Sequence, residues 1–415
     1  MAGIYLHIPF CRRKCPYCNF FSLASKKQRD AFLSALKKEI SLTRGFLGED
    51  PVETIYFGGG TPSVFSPSVL NEIIVEDLAS KTDRNDAMTR RNYPERKVPS
   101  YPPQPLPARR EGQGEGTEIT LEINPEDATG EFVSELRETA FNRVSLGVQS
   151  FHEPELKFLG REHSAEQSSV AVRRLQTAGF TNISIDLIYG IPGSSDDAWK
   201  KNLEIALSLG VPHISAYALT VEEGTPLAWM TGKGRAAPVD DERQAAHFRI
   251  LMEMMRSHGY LHYEISNFCL PGRESRHNTA YWQGKKYLGL GPSAHCYNGL
   301  TRRWNVSNLT RYIESMEQGM PLWEEEILTP EMQSNEYIMT SLRTMWGCDE
   351  NRILDPLYPN KALAKSALQE FKARAKTWEN RGFMKSAAGT WYLTDEGKLF
   401  ADAIAADLFF CLNAE

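Results

Sequence analysis

The sequence predicts an α/β protein in which the strands of a parallel sheet alternate with helices, followed by a small C-terminal domain of different character. Two observations predict this fold class. Short runs rich in β-branched residues recur through about the first 230 residues, and helical stretches separate them. Such alternation favours a sheet covered by helices, either an open doubly wound sheet or a full or partial barrel.

Six strand-and-helix units fit this part of the chain. In the first helix, Phe32, Leu33, Leu36 and Ile40 fall on one face of a charged segment, which is the pattern of a helix packed against a core. Two later helices are each predicted to end at a glycine. The predicted strands are 4–8, 54–57, 119–123, 143–148, 183–188 and 214–219, and the two later helices are 165–178 and 199–209.

A polar segment at 80–117 interrupts this rhythm. Positions 80 to 116 hold six prolines, eight Lys or Arg and five Asp or Glu, with almost no large aliphatic side chains. Such a segment cannot bury enough apolar surface to offset its ordering entropy, so it is predicted to be a disordered surface insertion. The alternative is a docking arm that uses Arg90, Arg91, Arg109 and Arg110.

The C-terminal part changes character after about residue 325. Helical patterns at 332–345 and 363–378 precede a hairpin with Gly389 in its turn and a last helix from Thr394, a suitable N-cap, to about Phe410. This order resembles a winged-helix unit. Ten Lys or Arg against twelve Asp or Glu from 331 to 415 give it no basic surface for DNA. The predicted domains are 1–235, 236–325 and 326–415.

Composition excludes several classes of protein. The 47 Lys and Arg against 53 Asp and Glu give a net charge of −6, so nothing indicates a nucleic-acid partner. No run approaches the ~18 apolar residues of a membrane span, and the first residues carry no export signal. Seven unevenly spaced cysteines do not form a disulfide framework. A cytoplasmic protein is therefore expected.

The strongest chemical signal is the run Cys11-x3-Cys15-x2-Cys18 directly after the first strand. Thiolates are the usual ligands of iron–sulfur clusters, and three of them leave one iron of a cubane open for another ligand. The alternative is a structural zinc ion, with His7 or a remote Cys or His as the fourth ligand.

A second signal is the glycine run at 58–60, followed by Thr61 and Pro62, at the end of the second strand. Glycines let backbone amides approach a ligand closely, although a glycine-rich turn without a ligand gives the same pattern. The run has neither the lysine of a Walker A loop nor the spacing of a dinucleotide fingerprint.

Polar residues also end or occupy the later predicted strands. In a β/α barrel, side chains at the carboxyl ends of several strands converge on one mouth, where the active site lies. We therefore expect them to surround one polar ligand beside the cysteines, although each alone could be a hydrogen-bonding group of the barrel interior. They are Glu122, Asn124, Gln149, Ser150, Asp186 and Tyr217.

Taken together, these segments resemble radical S-adenosylmethionine proteins of the coproporphyrinogen oxidase-like branch. The resemblance implies a partial (β/α)6 barrel followed by the winged-helix-like domain. It also implies a 4Fe-4S cluster on Cys11, Cys15 and Cys18, whose open iron is chelated by S-adenosylmethionine. The motifs that carry it include the glycine run, Glu122-Ile-Asn-Pro and Gly289-Leu-Gly-Pro-Ser-Ala-His. By the same resemblance, S-adenosylmethionine would be held by Tyr5, Tyr17, Gly59, Gly60, Thr61, Glu122, Gln149, Arg161 and Asp186.

Two members of that branch are alternatives. Oxygen-independent coproporphyrinogen III oxidases carry a fourth cysteine where this chain has Phe20, and a longer segment before the cluster. The run His277-Asn278-x-x-Tyr281-Trp282 instead resembles the H-N-x-x-Y-W signature of haem chaperones of the HemW type. Because imidazole is a common axial ligand of haem iron, His277 is predicted to bind haem, the alternative being a structural histidine.

The resemblance thus implies a haem chaperone that binds haem and delivers it to an acceptor apoprotein. A donor such as flavodoxin or ferredoxin is implied if the cluster is reduced, and whether the protein acts as an enzyme stays open. The alternative functions are oxidative decarboxylation of coproporphyrinogen III and a zinc-stabilised binding module. His295 is expected near the barrel mouth, in either a lining or a core role.

Overall fold

The structure, a computed structural model, describes residues 2–78, 116–357 and 361–411. All but the last two positions of the predicted insertion lie outside these ranges. The strands are β1 (Ala2–Ile8), β2 (Val52–Gly59), β3 (Glu118–Ile123), β4 (Arg143–Gln149), β5 (Ile183–Tyr189), β6 (His213–Ala218), β7 (Leu261–Glu264), β8 (Asn267–Cys269), β9 (Lys286–Leu290), β10 (His295–Tyr297), β11 (Thr301–Asn305), β12 (Trp323–Ile327), β13 (Cys348–Asp349), β14 (Met384–Ala387) and β15 (Thr390–Leu393).

Helices alternate with the strands through the first half of the chain, and further helices follow in the second half. They are α1 (Arg29–Leu42), α2 (Pro67–Glu72), α3 (Gly130–Arg137), α4 (Glu153–Phe158), α5 (Ala165–Thr177), α6 (Asp196–Ser208), α7 (Pro226–Gly232), α8 (Asp241–Ser257), α9 (Arg276–Trp282), α10 (Leu309–Glu317), α11 (Pro330–Leu342), α12 (Glu350–Leu354), α13 (Lys361–Asn380), α14 (Asp395–Lys398) and α15 (Ala401–Leu408). None of the helices in the described ranges is both long and apolar enough to cross a bilayer.

One large sheet organises the molecule, in the order β12-β11-β10-β9-β1-β2-β3-β4-β5-β6-β8-β7. Strands β1 to β6 are parallel neighbours in chain order, which confirms the predicted partial barrel of six strand-and-helix units. The sheet stays open, and antiparallel strands extend it at both ends. The carboxyl ends of the parallel strands therefore open on one mouth.

One parallel strand was not predicted. Strand β9 pairs in parallel with β1, so the central parallel part contains seven strands instead of six. Its five residues lie about 280 positions after β1 in the chain, and such a pairing leaves no local pattern. The extra strand carries the sheet from the barrel into the 236–325 segment.

The core lies between the sheet and its helices. In α1, Phe32, Leu36 and Ile40 are buried as predicted, and each such side chain contributes about 1.5–3 kcal/mol when fully buried. Glu39 is buried on the same helix, which the apolar pattern did not predict. It accepts hydrogen bonds from the Gly291 amide at 2.7 Å and from Tyr312 at 2.7 Å, so it ties α1 to the later part of the chain.

The C-terminal part has its own buried cluster and a small sheet in the order β13-β15-β14. The predicted helix, helix and hairpin are present, and the hairpin turns at Gly389. Thr394 caps the next helix as predicted, accepting from the Gly397 amide at 3.1 Å. The expected single last helix is instead α14 and α15, because the backbone leaves the helical region at Phe400 (φ −118°, ψ 21°).

Candidate functional site

A cavity of about 410 Å³ opens at the carboxyl ends of the parallel strands. It is lined by the loop after β1 and by residues at the ends of β2 to β6, as the convergence argument predicted. The predicted residues that line it are Cys11, Cys15, Tyr17, Cys18, Gly59, Gly60, Thr61, Glu122, Gln149, Arg161 and Asp186, together with Asn124 and Tyr217. The predicted Tyr5 and His277 lie outside this lining.

The loop that carries the cysteines is closed at its base by backbone hydrogen bonds. The Cys11 amide donates to Leu23 at 3.0 Å, and the Leu23 amide donates to Pro9 at 2.8 Å. All seven cysteines of the chain are free thiols. Cys11 is buried, whereas Cys15 and Cys18 are partly exposed. Three free thiols therefore face one end of the cavity from a short, anchored loop.

His7 anchors this loop from beneath. Its Nε2 lies 2.8 Å from the Phe21 carbonyl oxygen, and its Nδ1 lies 3.3 Å from the Tyr5 hydroxyl. Both ring nitrogens thus have protein partners, so this arrangement does not offer His7 as a fourth zinc ligand. Among the described residues, no group of three or more His, Cys, Asp and Glu side chains is arranged to hold a single metal ion.

The glycine run joins the second strand to the cysteine loop. The Gly60 amide donates to Ile8 at 2.8 Å, and the Thr61 amide donates to Phe10 at 2.7 Å. Gly59 has φ +103°, and a Cβ on it would lie 2.5 Å from the His7 ring. Glycine at position 59 is therefore required by local packing as well as by the cavity wall it forms.

Arg161 spans the floor between the thiols and the strand ends. Its Nη1 lies 3.6 Å from the Cys15 sulfur, and its Nη2 donates to Asn124 at 2.6 Å and to the Gly147 carbonyl at 2.9 Å. The buried Nε has no hydrogen-bond partner among the described residues. Because the guanidinium is fixed by these contacts and keeps a free donor, it suits an anionic group such as a carboxylate.

Two buried carboxylates stand on the other side of the cavity. Tyr56 donates to Glu122 at 2.7 Å, and Ser145 donates to Asp186 at 3.3 Å. Burial raises the pKa of Glu122 to about 7, and hydrogen bonds from Tyr56 and the Gly59 amide, which lower the pKa, offset only part of this rise. Burial raises the pKa of Asp186 as well. A cationic ligand in the cavity would stabilise the charged form of both groups.

Gln149 occupies the end of β4 in a strained conformation. Its φ is +66°, in the left-handed region that non-glycine residues rarely adopt, and the register with β5 shifts between Leu146 and Gln149. Strain of this kind persists where the surroundings force it and is frequent at binding sites. The irregularity directs the strand end into the cavity.

Tyr5 and His277 belong to a buried aromatic layer in the barrel. The His277 ring stacks on Tyr56 at 5.0 Å between centroids and on Tyr5 at 6.4 Å. Its Nδ1 lies 2.8 Å from the Thr54 hydroxyl and its Nε2 lies 3.0 Å from the Tyr281 hydroxyl. Burial lowers the pKa of His277 to about 3. In this arrangement both ring nitrogens are engaged, so haem ligation by His277 stays a prediction that requires these bonds to open.

Other residues were misplaced or missed by sequence reasoning. Ser150 was expected at the mouth, but its hydroxyl donates to the buried Glu155 at 2.5 Å instead. Tyr56 was not singled out, although the two-residue period of β2 places it on the same face as Gly58. Arg143 is buried, and its charge lowers the pKa of Glu122 and partly offsets the effect of burial.

The donor set fits the two groups that the resemblance implies. Three thiols from one loop suit three corners of an iron–sulfur cubane. S-adenosylmethionine carries a carboxylate, an ammonium and a sulfonium group. Arg161 matches the first, whereas Glu122 and Asp186 match the cationic groups.

Comparison with known proteins agrees with this donor set. Residues 5–206 match the model of the Radical SAM superfamily. The chain is 33% identical to the haem chaperone HemW of Mycobacterium tuberculosis, over 98% of this chain and 94% of the relative. It is 32% identical to the haem chaperone HemW of Bacillus subtilis, over 97% and 98%. The solved coproporphyrinogen III oxidase HemN of Escherichia coli superposes with a TM-score of 0.77 over 99% of this chain and 90% of that one; at 20% identity, this shows a shared fold.

Proposed function

The chain belongs to the HemW family of radical S-adenosylmethionine proteins, and from this premise we propose that it is a cytoplasmic haem chaperone. It would bind haem, carry a 4Fe-4S cluster with S-adenosylmethionine, and deliver haem to an acceptor apoprotein. The observation that carries the proposal is the identity of about one third, over nearly the whole length of both chains, with proteins named for that function.

The residues at the mouth are assigned roles by this proposal. Cys11, Cys15 and Cys18 hold the cluster, and Arg161 pairs with the carboxylate of S-adenosylmethionine. Glu122 and Asp186 receive its cationic part. The bound pair supplies one-electron chemistry when an electron donor such as flavodoxin or ferredoxin reduces the cluster. The protein itself orients the ligand and keeps two carboxylates out of bulk water.

Haem titration of the anaerobically reconstituted full chain, with and without S-adenosylmethionine, tests the proposal. We expect saturable binding of about one haem per chain, followed by transfer to an added haem-free acceptor protein. An absence of saturable haem binding would contradict the chaperone function.

The alternative enzyme function is tested with the same preparation. An anaerobic assay with reductant, S-adenosylmethionine and coproporphyrinogen III should give no decarboxylated product. Phe20 occupies the position of the oxidases' fourth cysteine, and its side chain is 60% exposed at the cavity rim. Product formation at an enzymatic rate would replace the chaperone proposal by the oxidase.

A further inference from the structure

We propose that His295 supplies the axial nitrogen to haem iron, a proposal that rests on the haem-binding function proposed above. An axial ligand needs a ring nitrogen that the protein does not already use. It also needs room for a flat macrocycle beside the imidazole. His295 is exposed, and neither of its ring nitrogens has a hydrogen-bond partner within the described ranges.

The other histidines are less suited to this role. All nine lie in the part of the chain that the structure describes, and five of them have hydrogen-bond partners at both ring nitrogens. These five are His7, His163, His213, His262 and His277.

Of the remaining four, His247 is buried at 0% exposure, whereas His152, His258 and His295 are exposed. His152 lies 3.5 Å from Glu155 through Nδ1, and His258 Nδ1 lies 2.8 Å from a helix carbonyl oxygen. Within the described ranges, neither ring nitrogen of His295 has a protein hydrogen-bond partner. Of the three exposed histidines, His295 is the one stacked on another described aromatic ring.

A rigid turn presents His295 at the mouth end of the barrel. The turn follows β9, which runs parallel to β1, so it lies at the end where the parallel strands open on the cavity. Gly291 has φ +95° and Ser293 has φ +67°, and the second value is strained for a residue with a side chain. The buried Glu39 holds the Gly291 amide at 2.7 Å. The turn is therefore fixed from beneath while the imidazole faces outward.

The surroundings of His295 suit a macrocycle with carboxylate arms. Trp304 pairs with His295 across β10 and β11, and the two rings stack at 5.9 Å between centroids with 26° between planes. The indole adds apolar surface next to the imidazole. Arg302 on the same strand is 36% exposed and is paired with Glu336 at 2.8 Å. Its guanidinium is available to a haem propionate that displaces Glu336.

Partial burial and a neighbouring charge keep this imidazole in its ligating form. Partial burial lowers the pKa of His295, and the charge of Arg302 lowers it further. The ring is therefore neutral near pH 7, as metal ligation requires.

The exposure of His295 also agrees with haem delivery, because haem that is open to solvent on one side can pass to an acceptor without unfolding of the carrier protein.

Haemin titration of the anaerobically reconstituted full chain tests the assignment through affinity and the Soret spectrum. His295→Ala should bind haem at least tenfold more weakly and lose the imidazole-ligated spectrum, with unchanged iron content of the cluster. Free imidazole should restore that spectrum, which separates a lost ligand from misfolding. His152→Ala is the matched control, since it removes another exposed imidazole, and it should behave like the parent.

His277→Ala distinguishes the two haem ligands under consideration. If His295 is the ligand, His277→Ala keeps the imidazole-ligated spectrum. The assignment is overturned if His295→Ala matches the parent in affinity and spectrum, or if His277→Ala alone loses the spectrum. If the parent takes up no haem, the proposed function fails and the assignment falls with it.

Discussion

Tyr56 donates a hydrogen bond to Glu122 at 2.7 Å, and the acceptor carboxylate faces the cavity with a pKa near 7. The group is therefore half protonated close to neutral pH. A cationic ligand binds the ionised form, so protonation competes with binding below that pKa. We expect the affinity of the reconstituted protein for S-adenosylmethionine to fall up to tenfold per pH unit below pH 7 and to level off above it.

Glu122→Gln should remove this pH dependence and weaken binding at pH 8. Calorimetric titration between pH 6 and 8.5 measures both effects. Glu131→Gln is the control, because Glu131 is an exposed carboxylate on α3. A parent whose affinity does not change across this range would contradict the role assigned to Glu122.

Tyr56→Phe should shift the same profile in a defined direction. The lost hydroxyl is a donor that lowers the pKa of Glu122, so its removal raises that pKa. The midpoint of the affinity profile should then move to higher pH, while binding at the high-pH plateau stays within about threefold. A shift to lower pH would show that the hydrogen bond does not stabilise the ionised carboxylate.

Arg161→Lys should weaken S-adenosylmethionine binding by about tenfold. Lysine keeps the positive charge but has no planar guanidinium. In the parent, the guanidinium donates to Asn124 and Gly147 through one nitrogen and keeps its Nε as a further donor. Equilibrium binding to the reconstituted variant measures the effect, with Arg137→Lys on the exposed face of α3 as control. Equal binding by the Arg161 and Arg137 variants would exclude a specific role for the guanidinium.

Glu39→Gln should lower the free energy of unfolding by about 1–3 kcal/mol, because a buried acceptor of several hydrogen bonds becomes partly a donor. Its carboxylate accepts from Gly291, Asn305 and Tyr312. Denaturant unfolding compares it with Glu314→Gln, an exposed change on α10 that should stay within about 0.5 kcal/mol. A Glu39 variant as stable as the Glu314 variant would show that this network contributes little.

The parallel strands could be predicted because their apolar residues form short local runs between helices with one apolar face. Strand β9 and the break at Phe400 could not. The first depends on pairing with a strand about 280 residues away, and the second on the backbone conformation of one residue that the apolar pattern does not mark. Local periodicity carries no information on such distant contacts.

In the candidate site, too, some features could be predicted from the sequence and others could not. Cys11 and Glu122 were expected together because strand ends of a barrel converge, whereas Arg161 was implied by the family resemblance; the structure brings all three to one cavity. The burial and the hydrogen bonds of His277 could not be predicted from its motif. Its bond to Tyr281 lies within α9, whereas its burial and its bond to Thr54 arise only when α9 packs against β1 and β2. A motif identifies a residue that matters but does not say which of its atoms are free.

The cluster assignment supports every other role given to the mouth of the barrel. Iron and acid-labile sulfide per chain, measured after anaerobic reconstitution of the parent and of the Cys11, Cys15 and Cys18 triple serine variant, test it most directly. We predict about four irons and four sulfides in the parent and almost none in the variant. Full iron content in the variant, or about one zinc and no sulfide in the parent, would contradict the account.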